Sequence, residues 1–328
     1  MKKCIICSSM LEKNQTKLCG DENCKSEYNK QRQREYRQRK KRLHRNGIAL
    51  QSKPETVAIN NPPVRYKGGK WRIADWIIGY FPKHESYVEP FCGGASVFFQ
   101  KPPSAIETLN DLNKNIVTFF DVLRAKPEEL IRSIELTPYS RDEWEQAHDT
   151  TADDPLEIAR AFYIRSRMSF DSGEGRWKSG WRYMRNNRRG KTVTQEWNDV
   201  SMLWAAARRL KDAQIENRPA LDVIAKFDGP ETLFYIDPPY LFDTRHSNEE
   251  YYAFEMSDNE HVELANLLQK VEGMVILSGY DHPMYQELYH DWVFVEKSAR
   301  TNGNHKATEC LWINPSANEI NKLPLFAG

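Results

Sequence analysis

Short apolar runs bounded by polar or glycine-containing turns recur along residues 63–328 of this 328-residue chain. Seven of them, at 86–89, 105–109, 213–216, 233–236, 274–277, 292–296 and 310–313, predict strands. Helix-length segments fall between and around them, at 71–80, 95–100, 114–123, 128–135, 141–148, 156–168, 195–210, 221–226 and 258–270. Strand–helix alternation predicts an α/β fold with a mostly parallel sheet covered on both faces. The interval 137–210 interrupts the alternation and reads as a helical insertion rich in Arg and Trp. Ahead of the sheet, 25–45 contains neither Gly nor Pro and predicts a basic helix, stopped by Asn46-Gly47. A polar linker over 46–62 follows, running into Asn60-Asn61-Pro62-Pro63. The expected organisation is therefore 1–45, a linker at 46–62, and a large domain at 63–328.

Charge sharpens this division. The net charge of +1 conceals 14 Lys/Arg against 5 Asp/Glu in residues 1–50, while the remaining 278 residues hold 33 against 41. A second basic island at 160–191 holds 10 Lys/Arg, with Asp171 and Glu174 as its acids. Two separated basic patches predict a polyanionic partner, nucleic acid in the first place. No run approaches the roughly 18 apolar residues of a membrane span, and the chain start lacks the apolar core of a signal peptide. The expected setting is the cytoplasm, with no membrane partner.

The chemistry concentrates at four places. Asp237-Pro238-Pro239-Tyr240 follows the apolar run 233–236, so it should cap the carboxyl end of a buried strand, where ligands bind in open α/β sheets. The exocyclic amine of a base is a poor nucleophile because its lone pair is delocalised into the ring. Asp237 can accept one N–H and the Pro238 carbonyl the other, and the two prolines stiffen the loop. Tyr240 offers a ring for stacking on an everted base. The stretch from Tyr87 to Val97 reads as strand, small-residue turn and helix, with Glu89, Pro90, Phe91, Gly93 and Gly94 as candidate cofactor contacts and Cys92 as a small turn residue. Asp111, about 20 residues on, is placed to accept the hydroxyls of a ribose, although it could equally cap a helix. Tyr66-Lys67-Gly68-Gly69-Lys70 precedes the first strand, and Lys70 could meet a cofactor carboxylate.

In their order and spacing these four motifs resemble the Dam-type DNA adenine methylase family, over about residues 63–315 and including Val275–Tyr280 and Glu309–Pro315. The resemblance implies a Rossmann-like methyltransferase fold, S-adenosylmethionine as methyl donor and transfer to adenine N6. It assigns Tyr66, Lys70 and Asp111 to the cofactor and Asp237 to the amine. Glu216 and Asn217 would flank the cofactor adenine. Tyr66 stands where many members carry Trp. The insertion resembles the family's target-recognition region, so Arg165, Arg167, Ser169, Trp177, Trp181, Arg182, Arg185, Arg188 and Arg189 are expected at the DNA. Two alternatives stay open at this level: a non-catalytic zinc-dependent DNA-binding regulator, and transfer to the N4 amine of cytosine, which the Asp-Pro-Pro-Tyr geometry would serve equally. The recognised word and any partner nuclease are not encoded legibly.

Four of the six cysteines cluster as Cys4-x2-Cys7-x11-Cys19-x4-Cys24, close to the spacing of small zinc fingers. One structural Zn²⁺ on four thiolates would fold a segment too small to bury its own core. The basic helix behind it would add salt-sensitive phosphate contacts.

Overall fold

The structure is a computed structural model that describes residues 23–24, 27, 30, 59–171, 179–186, 190–244, 254–300 and 306–321. The chain divides into two units, Met1–Lys53 with Asp149–Asp154, and Pro54–His148 with Pro155–Gly328. In the first, Asn23, Cys24, Glu27 and Lys30 are helical. Cys4, Cys7 and Cys19, with most of the basic helix and linker, lie outside the described residues.

The second unit is built on β1 (Ser86–Glu89), β2 (Ile106–Asn110), β3 (Gln214–Glu216), β4 (Thr232–Ile236), β5 (Met274–Gly279), β6 (Val293–Arg300) and β7 (Lys306–Ile313), in the order β3-β2-β1-β4-β5-β7-β6. The first five in that order are parallel, and β7 and β6 are added antiparallel. All seven predicted strands are present. The two antiparallel ones extend beyond their apolar runs, because their distal halves carry polar residues.

The central strands read as continuous apolar runs because both faces are covered. Successive residues alternate between two cores. Tyr87, Leu233, Tyr235 and Ile276 belong to one, and Val88, Phe234, Ile236, Val275 and Leu277 to the other. The first core takes α1 (Ala74–Ile78), α2 (Lys114–Ala125), α3 (Pro127–Glu135), α4 (Arg141–His148), α5 (Pro155–Met168), α6 (Val193–Asn198) and α7 (Ser201–Leu210). The second takes α8 (Ala220–Phe227), α9 (Asp258–Leu268) and α10 (Pro283–Leu288). A last helix, α11 (Pro315–Asn321), follows β7. The insertion is thus no separate lobe. Phe162 of α5 meets Phe119 of α2 at a tilt, with centroids 5.4 Å apart, and Tyr163 stacks on it at 5.9 Å.

Two helix expectations fail for local reasons. Residues 95–100 form a chain of turns, beginning at Ala95 with φ of 50°, a left-handed conformation that no regular helix accommodates. The single helix expected at 195–210 breaks at Asp199, whose backbone leaves the helical region at φ of −88° and ψ of 88°, and α7 starts afresh at Ser201. Among the described residues no helix is long and apolar enough to cross a membrane.

Candidate active site

The chain leaves β1 for β2 and β3 on one side, then returns to β4 on the other. This reversal opens a crevice at the carboxyl ends of β1 and β4. A cavity of about 250 Å³ occupies it, and Tyr66, Lys70, Glu89, Phe91, Gly93, Gly94, Asp111 and Asp237 all line it. Pro238 and Pro239 join the same wall, while Phe254, Met256, Glu260 and Glu263 close the side next to α9. One member of the expected cofactor set, Pro90, stays outside. It is buried, and its carbonyl accepts from Asn110 Nδ2 at 2.8 Å.

Asp111 is not a helix cap, because Asn113 caps α2 by accepting from Asn115 N–H. Instead Asp111 Oδ2 accepts from Gly93 N–H and Oδ1 from Asn113 N–H, each at 2.8 Å. A carboxylate offers about four acceptor sites, so both oxygens keep capacity towards the cavity. Burial pushes Asp111 up to about 6, and those two N–H bonds oppose the rise. Gly93 has φ of 45°, and a Cβ there would stand 2.8 Å from Tyr66 Cδ1. The glycine turn therefore makes room for the Tyr66 ring, where the sequence suggested room for a cofactor.

At the other side of the crevice, Lys70 Nζ lies 2.9 Å from Asp237 Oδ1, donates to the Gly68 carbonyl at 2.8 Å and stands 4.7 Å above the centre of the Tyr240 ring. Lys70 thus meets the Asp-Pro-Pro-Tyr carboxylate from the same cavity wall on which the sequence reading placed it for the cofactor. Burial raises Asp237 above the usual carboxylate range, and Lys70 opposes that rise. Glu89 Oε1 accepts from Phe98 N–H at 2.9 Å and from the Tyr87 hydroxyl, and burial pushes its carboxyl up to about 8. Tyr240 is 6% exposed and does not line the cavity. Its hydroxyl donates to Glu309 Oε2 at 3.0 Å, and its ring meets Tyr280 edge-on at 4.7 Å.

Sequence reasoning missed two residues here. Glu309 entered only as the first residue of the family-like stretch Glu309–Pro315, and an acid directly before an apolar run is the signal that could have found it. Asn110 ties three strand ends together. Beyond its bond to Pro90, it donates to the Arg218 carbonyl at 3.0 Å, and its Oδ1 accepts from Arg218 N–H at 2.9 Å. Glu216 and Asn217 do not reach the cavity. Glu216 pairs with Lys226 at 2.7 Å, and Asn217 Nδ2 donates to the Asp111 carbonyl at 2.7 Å. They brace the cleft from behind, and Pro219, Ala220 and Leu221 form its wall instead.

The insertion splits into an inner and an outer part. Arg165, Arg167 and Ser169 are buried, at 9%, 9% and 0% exposure. Arg165 Nη1 donates to the Ala147 carbonyl at 2.8 Å, and Ser169 Oγ accepts from Trp144 Nε1 at 2.8 Å. These three are enclosed in the platform, whereas residue type suggested an open surface. An antiparallel bridge from Ser169 to Trp181 leads outward. There Trp181 stacks on Tyr183 at 6.0 Å, and Phe170, Tyr183, Met184 and Arg185 are exposed. Arg182 pairs with Glu196 at 2.7 Å. Arg65 fastens this part to the cleft loop, donating to the carbonyls of Ser169 at 3.1 Å and Phe170 at 3.2 Å. Trp177, Arg188 and Arg189 lie outside the described residues.

Residues 66–302 match the family described as D12 class N6 adenine-specific DNA methyltransferase. Among curated proteins, a type II methyltransferase (M1.LlaDCHI) from Lactococcus lactis subsp. cremoris is 24% identical over 257 residues, covering 74% of this chain and 89% of its own length. The DNA adenine methylase of Salmonella typhi is 24% identical over 268 residues, covering 74% and 91%. That of Escherichia coli K12 is 23% identical over 273 residues, again covering 74% and 91%. The matched region contains the whole cleft wall from Tyr66 to Glu263. The chain belongs to the D12 class of N6 adenine-specific DNA methyltransferases, and its reaction is methyl transfer to the N6 amine of adenine in DNA.

Proposed function

We propose that the reaction takes place on an adenine everted from duplex DNA into the crevice between β1 and β4, with Asp237 and the Pro238 carbonyl as acceptors for its amine. The observation that carries this reading is that Lys70, Asp111 and Asp237, which are distant in sequence, line one cavity. S-adenosylmethionine supplies a methyl group already activated on a sulfonium. The residues present suit it: an acceptor carboxylate at the end of β2 in Asp111, apolar walls in Phe91, Leu112 and Leu221, and an acid at Glu263 for a cationic ligand. Asp237 accepts an amine N–H, steers the nitrogen lone pair away from the ring and holds the proton that the amine loses. Lys70 favours the ionised form of that carboxylate and opposes the rise that burial imposes.

The outer part of the insertion, with Trp181, Tyr183 and Arg185, supplies a surface of aromatic faces and guanidinium suited to DNA. Adenine is favoured over the cytosine amine by the family placement, and the intact Lys70–Asp237 pair argues against a regulator that has lost catalysis. Asp237→Asn is expected to lower methyl transfer from labelled S-adenosylmethionine into unmethylated duplex DNA by at least about 10²-fold while leaving donor binding intact. Labelling at the wild-type rate rejects the assignment.

We further propose that Cys4, Cys7, Cys19 and Cys24 hold one structural Zn²⁺. The support is their spacing. Among the described residues no group of three His, Cys, Asp or Glu converges as a metal site, and three of these cysteines lie outside them. Metal analysis of the purified full chain should find one zinc per chain. Full-length protein that is free of zinc yet folded and bound to DNA as tightly excludes it.

A further inference from the structure

We propose that Glu309 is a positioning residue for the methyl-transfer reaction, acting on Asp237 through Tyr240 and Lys70. The inference rests on the reading that Asp237 accepts the adenine amine.

The geometry is a relay of held groups. Glu309 Oε2 accepts the Tyr240 hydroxyl at 3.0 Å, which fixes the ring along its long axis. Tyr280 meets that ring edge-on at 4.7 Å with an interplanar angle of 74°, which fixes its tilt. The face so oriented carries the Lys70 ammonium 4.7 Å from its centre, and Lys70 lies 2.9 Å from Asp237 Oδ1. Each link restricts the next, so the Asp237 carboxylate is set from strand β7 as well as from its own loop.

The fold explains why this residue comes from so far along the chain. β7 runs antiparallel to β5, with Cys310 opposite Gly279. The beginning of β7 therefore lies at the carboxyl edge of the parallel strands, beside the residues that follow β4 and β5. An acid one position before Cys310 is delivered to the crevice rim, while Cys310, Leu311 and Trp312 are buried in the cores. Nothing in the local strand requires a carboxylate there. A half-buried acid is costly unless it is partnered, and its partner here is the catalytic-loop tyrosine.

The test is a double-mutant cycle on the full-length protein, read as labelled methyl transfer into unmethylated duplex DNA. Glu309→Ala and Tyr240→Phe, which removes only the hydroxyl, are each expected to lower kcat about tenfold, the scale of one lost hydrogen bond to a charged group. KM for S-adenosylmethionine should be unchanged. Because Glu309 acts through the Tyr240 hydroxyl, which also reaches Asp237, the double variant should be no slower than Tyr240→Phe alone. Glu309→Gln keeps an acceptor for the phenol and should restore most of the rate. Multiplying losses in the double variant, a wild-type kcat in Glu309→Ala, or Glu309→Gln as slow as Glu309→Ala would each overturn the proposal. Asp237→Asn, run alongside, separates the two levels. If it stays active, the amine-acceptor reading fails. If it is inactive while Glu309→Ala is normal, only the role of Glu309 fails.

Discussion

Two buried lysine–carboxylate pairs lie at opposite edges of the same sheet, and they behave differently. At the amino edge, Lys101 meets Glu107 of β2 at 2.6 Å, while at the carboxyl edge Lys70 meets Asp237 at 2.9 Å. Glu107 is saturated. Its Oε1 also accepts from Ser104 N–H at 3.1 Å and Arg209 Nη2 at 2.7 Å, and Arg209 Nη1 takes Oε2. Burial alone would raise its carboxyl, but the bonds from Arg209 and Lys101 outweigh it and hold Glu107 below the usual range. For Asp237 the balance reverses, and burial wins over Lys70 and the Tyr240 hydroxyl together. A carboxylate with every acceptor site used is a structural clamp. One left under-satisfied beside a cavity is available to a substrate N–H.

The largest effect that could break this comparison is on stability. Glu107→Gln strands the charges of Lys101 and Arg209 in the interior and should cost about 3–5 kcal/mol, read as a lowered urea midpoint. Lys70→Met should cost far less, because Asp237 is already displaced towards its neutral form and can take a proton instead. Methyl transfer by Lys70→Met should nevertheless be lost. Equal destabilisation by the two substitutions would mean that the carboxyl-edge pair is a clamp as well.

The same contrast explains what was legible in the sequence. The strands were readable because burial on both faces of the sheet demands uninterrupted apolar residues, as in Leu233–Ile236. The cleft was readable as far as it is built from loops that follow consecutive parallel strands, since Glu89, Asp111 and Asp237 each sit just past an apolar run. Glu309 escaped because it precedes its apolar run, and only the antiparallel direction of β7 turns that position towards the cleft. Strand direction is a tertiary property, with no signal in residue type. Arg165 and Arg167 misled for the opposite reason. Arginine suggests a surface, yet α5 is enclosed by its neighbours, and Arg165 spends a guanidinium nitrogen on the Ala147 carbonyl. Short helices such as Pro283–Leu288 offered too few residues for a periodicity to emerge.

A smaller effect, spread over pH, sharpens the comparison by its sign. Glu89 faces the cavity, with Tyr87, Lys101 and Asp237 as its titratable neighbours, and burial lifts it from 4.5 to about 8. Between those values the folded chain holds a proton there that the unfolded chain has released. Stability from this group is therefore complete below pH 4.5 and falls as the pH rises towards 8, by at most about 1.4 kcal/mol per pH unit. Glu89→Gln keeps an acceptor for Tyr87 and Phe98 but cannot ionise, so urea midpoints should show it gaining on the wild type steadily from pH 5 to pH 8. Glu107 runs the other way. Its folded carboxyl is lowered from 4.5, so its contribution is complete above that value and disappears only as the pH falls further. Over pH 5 to 8 the deficit of Glu107→Gln should stay flat while the advantage of Glu89→Gln grows. Parallel pH dependence of the two variants would show that the sheet edges do not differ in how they solvate a buried carboxylate, and the distinction between clamp and available acceptor would fall with it.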